Sequence, residues 1–215
     1  MTANSDSLIR FLLPDAGVRG VHVRLQATWQ EILSHAQYPD AAAELLGEAC
    51  VAAALFTGHT KIDGRLSIQL RSSSALRTLF AECTATGTLR GIAQLSDGED
   101  APRDLSALGN DAILAITIEN PGLDPREPQR YQSLVGLTAP ELDEAFEDYF
   151  RQSEQLPTRL LLAAGIDVVN ERISWKHSSN GKYVSVRIVF KAESREQYDL
   201  AHQALRDHPE VKWTL

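Results

Sequence analysis

The stretch FEDYFRQSEQLPTRLLLAAGIDVV, residues 146–169, decides how the chain is divided. Its first half continues a helical pattern, with Leu142, Phe146 and Tyr149/Phe150 on one face and acidic residues filling the first turn after Thr138 and Pro140. Its second half, PTRLLLAAG, reads equally as a strand leaving one domain or as the first helix of another. LLLAAG satisfies both readings and is the natural place for a junction, and no linker rich in Gly, Pro or Ser lies near residue 165. We therefore expect one domain over residues 1–164 and a second over 165–215.

Upstream, DSLIRFLLPDAGVRGVHVRLQ predicts two short strands around a turn, and ATWQEILSHAQ a helix. PDAAAELLGEACVAAALFTGHT predicts a second helix that begins at a proline and is apolar around most of its circumference. Such a helix is buried in its own domain or against a partner. GRLSIQLRS, ALRTLFAEC, GTLRGIAQLS, DAILAITIEN and RYQSLVGLT are strand candidates, the first with Leu66, Ile68 and Leu70 in alternation. Downstream, NERISWKHSSNGKYVSVRIVFKAE predicts a hairpin through Asn180-Gly181. SREQYDLAHQALRDH predicts a helix capped by Ser194, and PEVKWTL a last strand. The fold class is α+β: a mixed-sheet core with packed helices, then a partial ββαβ unit.

Charge is unevenly spread. The net charge is −8, and residues 166–215 hold eight Lys/Arg against seven Asp/Glu, which leaves about −9 on the rest. An acidic body argues against nucleic-acid binding, which needs a basic footprint. The N-terminal stretch MTANSDSLIRFLLPD has no basic segment followed by a long apolar core, and the most apolar run, ACVAAALFTG at 49–58, is too short to span a bilayer. With only Cys50 and Cys83, and no CxxC, a disulfide framework is not expected. These readings point to a cytoplasmic protein with no membrane partner.

Catalytic motifs are missing from the sequence. The histidines at 22, 35, 59, 177, 202 and 208 form no HExxH, and GxGxxG, GxxxxGK[ST] and GxSxG do not occur. His59, Lys61 and Asp63 read as a polar loop, and Glu141, Asp143, Glu144, Glu147 and Asp148 as a solvated helix face. Lys176, His177, Lys182 and Arg187 could bind an anion or simply line a solvated strand. The expectation is a binding protein, not an enzyme, without metal or cofactor. Its client or dimer surface is expected on the two apolar helices, at Leu45, Val51, Leu55, Phe56, Phe146, Tyr149 and Phe150.

GVRG at 17–20, KIDGRLSIQL at 61–70, LRGIAQL at 89–95, RYQSLVGL at 130–137 and EDYFRQSEQLPTRL at 147–160 resemble, in order, the core domain of the redox-regulated heat-shock chaperones, the 33 kDa chaperonin family. The segment Ser153, Glu154, Gln155, Leu156 and Pro157 is the most specific part, and the resemblance covers about residues 7–160. It implies a stress-response, dimerising holdase that binds unfolded client proteins without ATP. It also implies a C-terminal zinc domain with a CxC…CxxC switch. That cysteine cluster does not occur in this sequence, so neither zinc nor the switch is expected here. ERISWKHSSNGKYVSVRIVFKAESREQYDLAHQALRDHPEVKWTL, residues 171–215, resembles the C-terminal part of the small YbeD-type family, a ferredoxin-like fold. That second resemblance implies a fusion and, as the alternative function, a regulatory or protein-interaction module with an unpaired sheet edge near 182–190 and 211–215.

Overall fold

The computed structural model describes residues 6–13, 18–60, 62–122, 124, 128–163, 174–177, 184–187 and 203. Its elements are β1 (Ser7–Leu13), β2 (Val18–Arg24), α1 (Ala27–Ser34), α2 (Asp40–His59), β3 (Arg65–Arg71), β4 (Leu76–Thr84), β5 (Leu89–Leu95), β6 (Ile113–Asn120), β7 (Gln129–Gly136), α3 (Leu142–Tyr149), β8 (Ser174–His177) and β9 (Val184–Arg187). A 3₁₀ turn spans Leu105–Leu108, and a π-helical turn, Phe150–Glu154, continues α3. The chain divides into two compact units, 1–164 and 165–215.

In the first unit, β1 and β2 form a hairpin, and a five-stranded sheet has the order β5-β4-β3-β6-β7. The α+β class stands, but the described sheets are antiparallel throughout and not mixed. Parallel neighbours need long crossovers, whereas β3, β4 and β5 follow one another through short turns.

Helix α2 is the centre of this unit. Its alanines favour helix, and Pro39 precedes Asp40, an acid placed where the N-terminal dipole favours it. Both sides of α2 are covered. Leu45, Leu46, Ala49 and Ala53 join the core with Leu66, Ile68, Leu79 and Ala81 of the sheet. On the hairpin side, Arg10 Nε donates to Gly58 O, and a Cβ on Gly58 would meet Leu8 and Val21. At β5 the approach is closer still: a Cβ on Gly91 would lie 2.7 Å from Cys50 Sγ. The helix is longer than the apolar run at 49–58 and, with 20 residues and a mean hydropathy of 1.4, has the length and composition to cross a membrane. About two thirds of its most apolar 18-residue stretch is buried inside this unit, as in a core helix.

The loop after β5 closes one end of the core with Ala101, Leu105 and Leu108. Asp104 caps the 3₁₀ turn by accepting from Ser106 N at 2.9 Å, and Leu105 N donates to Pro140 O at 2.8 Å ahead of α3. Residues 157–163 are neither strand nor helix, so the described part of PTRLLLAAG takes neither form expected of it. In the second unit, β8 pairs antiparallel with β9, Ser174 opposite Arg187 and His177 opposite Val184. The Asn180-Gly181 turn, the helix from Ser194 and the last strand lie outside the described residues, apart from a helical Gln203.

Candidate functional site

The two faces of the five-stranded sheet differ. On β3, Leu66, Ile68 and Leu70 are buried toward α2, while Arg65, Ser67, Gln69 and Arg71 point the other way. Strand register carries this outer face across all five strands. One row runs Ile92, Phe80, Gln69, Ala115, Leu134; the next runs Gln94, Thr78, Arg71, Ile113, Gly136; a third runs Arg90, Glu82, Ser67, Thr117, Gln132. Ile92, Ile113 and Leu134 are 43%, 46% and 65% exposed. Apolar side chains at three separate points of one open sheet face form a surface able to hold an apolar segment. A basin of about 450 Å³ lies over β3–β5, between Gln69, Arg71, Phe80, Arg90 and Ile92.

The outer face is also charged. Glu82 accepts from Arg90 at 2.9 Å and lies 3.8 Å from Arg65, which pairs in turn with Glu119 at 2.5 Å. The Arg90 guanidinium stands 5.8 Å from the Phe80 ring centroid, a cation–π distance. Gln132 Nε2 donates to Thr117 Oγ1 at 2.9 Å.

For five of the seven residues expected at a client or dimer surface, burial corrects the expectation. Leu45, Phe56, Phe146, Tyr149 and Phe150 lie inside the core, at most 6% exposed, while Val51 and Leu55 are half-buried. The cause is the double cover of α2 and the inward turn of α3. The Phe56 ring meets Phe146 edge-on at 5.0 Å and Phe150 at 4.9 Å, and Tyr149 meets Phe150 at 5.1 Å.

The segment Ser153, Glu154, Gln155, Leu156 and Pro157 forms the exit of that cluster. The Tyr149 hydroxyl donates to Glu154 Oε1 at 2.7 Å, and burial, then this hydrogen bond, raises the Tyr149 pKa. Gln155 takes the left-handed conformation at φ 53°, and Leu156 N donates to Phe150 O at 3.1 Å. Ser153 and Ser133 share a 2.7 Å hydroxyl hydrogen bond, which ties the turn to β7. Pro157 starts the irregular segment. A cavity of about 220 Å³ opens beside the turn between Arg19, His59, Thr60, Glu154 and Leu156. Burial and the Arg19 charge lower the pKa of His59, whose Nε2 lies 3.3 Å from Arg19 Nη2.

Cys50 and Cys83 are both buried with free thiols; burial pushes Cys50 up to about 12 and raises Cys83. Among the described residues no three of His, Cys, Asp and Glu are grouped to hold a metal. The zinc implied by the resemblance needs thiolates, and two protonated, core-packed thiols do not fit it. No part of the function is assigned to that metal.

The acidic cluster at the start of α3 is not all on a solvated face: Asp143 is half-buried, and Glu141 joins a cluster around Glu48 of α2. Glu48 is 4% exposed, and Arg103 reaches it along with Glu44 and Glu141. Burial pushes the Glu48 carboxyl up to about 7, against the pull of Arg103. Burial also raises Asp143. Neither this arginine clamp nor the outer sheet face was visible from the helical pattern. Apolar residues on both parities of β5, β6 and β7, such as Ile92, Ile113 and Leu134, were the signal for the latter.

The model of the family described as "Hsp33 protein" matches residues 6–179, and that of "Protein of unknown function (DUF493)" matches 154–215. The chain is 44% identical over 157 residues to a 33 kDa chaperonin of Ectopseudomonas mendocina, covering 72% of this chain and 51% of the relative. It is 40% identical over 163 residues to one of Pseudomonas aeruginosa, covering 75% and 53%. It thus spans about half the length of these relatives. A UPF0250 protein of Stenotrophomonas maltophilia is 97% identical over 61 residues, 28% of this chain and 65% of that protein. Among solved structures, a 33 kDa chaperonin of Thermotoga maritima is similar in fold, with a TM-score of 0.58 at 21% identity, covering 93% of this chain and 67% of that one. The two family models overlap at residues 154–179, around the junction placed in LLLAAG, and over most of its length the chain belongs to the Hsp33 protein family.

Proposed function

We propose that residues 1–164 act as an ATP-independent, holdase-type chaperone core that binds unfolded polypeptide segments on the outer face of the sheet. The observation that carries this reading is the exposure of Ile92, Ile113 and Leu134 on one open sheet face. Burying them against an apolar segment is favourable at about 25 cal/mol per Å². Membership of the Hsp33 family and the name 33 kDa chaperonin carried by the relatives support the same function. The core is permanently competent, without a zinc–thiol switch, in a cytoplasmic homodimer that uses no nucleic acid, membrane or cofactor. No enzymatic chemistry belongs to this reading. The test is light scattering from a heat-unfolded client with and without the chain, in reductant and in peroxide, with no ATP present. Equal suppression in both supports the reading; no suppression in either overturns it.

A second reading rests on the tail. Its 97% identity to a UPF0250 protein supports a separate regulatory or interaction module of the YbeD type. Deleting residues 167–215 would then change client binding or dimerisation.

A further inference from the structure

We propose that the basin on the outer sheet face selects apolar segments that carry carboxylates, in preference to basic or purely neutral ones. This inference rests on the reading of that face as the polypeptide-binding surface, and it names the class of segment taken there.

The strand register sets the arrangement. Ile92, Phe80 and Gln69 form a row across β5, β4 and β3, with Arg90 on the row to one side and Arg71 on the row to the other. Two apolar side chains, Ile92 and Phe80, therefore lie between two guanidinium groups at diagonal corners of the basin.

The charges are not balanced. Arg65, Arg71, Arg90 and Arg130 occupy outer-face positions, against Glu82 and Glu119. Arg65 and Arg90 share those two carboxylates. Among the described residues no carboxylate pairs with Arg71. Its contact is neutral: the Gln69 amide, oriented to satisfy both groups, accepts from Arg71 Nε and Nη2 at 3.1 Å. That Nε/Nη2 edge is the pair of donors a carboxylate binds in two-point fashion, and an incoming Asp or Glu displaces a weaker, neutral acceptor. A neighbouring apolar side chain then covers Phe80 and Ile92. A lysine in the same segment meets like charge. The positive surplus is local, because the first 165 residues carry about −9 overall.

The test uses the full chain and fluorescence anisotropy with dye-labelled, unstructured peptides of one apolar composition, whose polar positions are all Glu, all Gln or all Lys. The Glu peptide is expected to bind about fivefold more tightly than the Gln peptide at low salt, the size of a good partly exposed ion pair. The Lys peptide binds most weakly, and the differences fade at high salt. Arg71→Gln narrows the Glu-over-Gln gap, and Arg71→Lys restores part of it. Equal binding of the three peptides overturns the charge selectivity and leaves polypeptide binding standing. Binding of none removes the proposed function itself. Tighter binding of a single-stranded oligonucleotide than of the Glu peptide overturns the choice of polypeptide as the occupant.

Discussion

Arg103, in the loop after β5, forms a two-point ion pair with Glu48 in the middle of α2, its Nη1 lying 3.1 Å from Glu48 Oε2. The same guanidinium lies 3.4 Å from Glu44 and 3.5 Å from Glu141 ahead of α3, so one side chain ties a loop to two helices. Removing it strands a buried carboxylate. Arg103→Ala is therefore expected to lower stability by about 3 kcal/mol, measured by urea unfolding at pH 8.

Glu48 also makes stability depend on pH. Its carboxyl is raised from 4.5 to about 7 by burial, so the folded chain holds a proton that the unfolded chain has released. The resulting stabilisation is fully present below about pH 4.5 and is lost as pH rises through about 7, amounting to roughly 3 kcal/mol. Glu48→Gln should flatten the fall in unfolding free energy between pH 5 and 8. An unchanged slope in that variant rules out Glu48 as its source.

Phe146 separates a core role from a surface role for the aromatic face of α3. It is fully buried with its ring edge-on to Phe56. Phe146→Ala should cost about 4 kcal/mol, as large core truncations do. Tyr149→Phe, which removes only the hydroxyl bond to Glu154, should cost about 1 kcal/mol. Chemical denaturation of both variants checks the pair; a near-neutral Phe146→Ala would return this face to the surface.

The outer sheet face predicts the reverse pattern. Leu134 is 65% and Ile113 46% exposed, so Leu134→Ser and Ile113→Ser should each change stability by no more than about 0.5 kcal/mol. The double variant should nevertheless suppress client light scattering less well. Full suppression by a folded double variant would remove this face as the client site.

What the sequence made legible follows periodicity. Alternation at Leu66, Ile68 and Leu70 located β3 and its buried side, and the all-round apolar character of α2 announced burial. Periodicity is silent about what covers a face. It made Phe56, Phe146 and Phe150 look available because each shares a helix side with other apolar residues, yet their rings pack edge-on against one another between α2, α3 and the π-helical turn that begins at Phe150. The outer face depends on register between five strands, and the Arg103 clamp joins residues 55 positions apart, which no local pattern contains. The family segment at 153–157 was legible through resemblance; its physical role, an exit from the core tied by Tyr149–Glu154 and Ser133–Ser153, depends on side-chain contacts that no sequence pattern encodes.

The thiols supply the last prediction. It is the thiolate that attacks peroxide and disulfide reagents, and Cys50, pushed up to about 12 in the core beside Gly91, carries almost none at pH 7. Cys83 is buried on β4 with its pKa raised by the same cause. Both should react with a chromogenic disulfide only as fast as the first unit opens, and both should react at once in denaturant. If so, peroxide leaves client suppression unchanged over the time in which an exposed thiol is fully oxidised. Rapid native-state labelling of Cys83 accompanied by a change in suppression would instead make that cysteine a redox sensor, and Cys83→Ser, by abolishing the change while Cys50→Ser did not, would identify which thiol carries it.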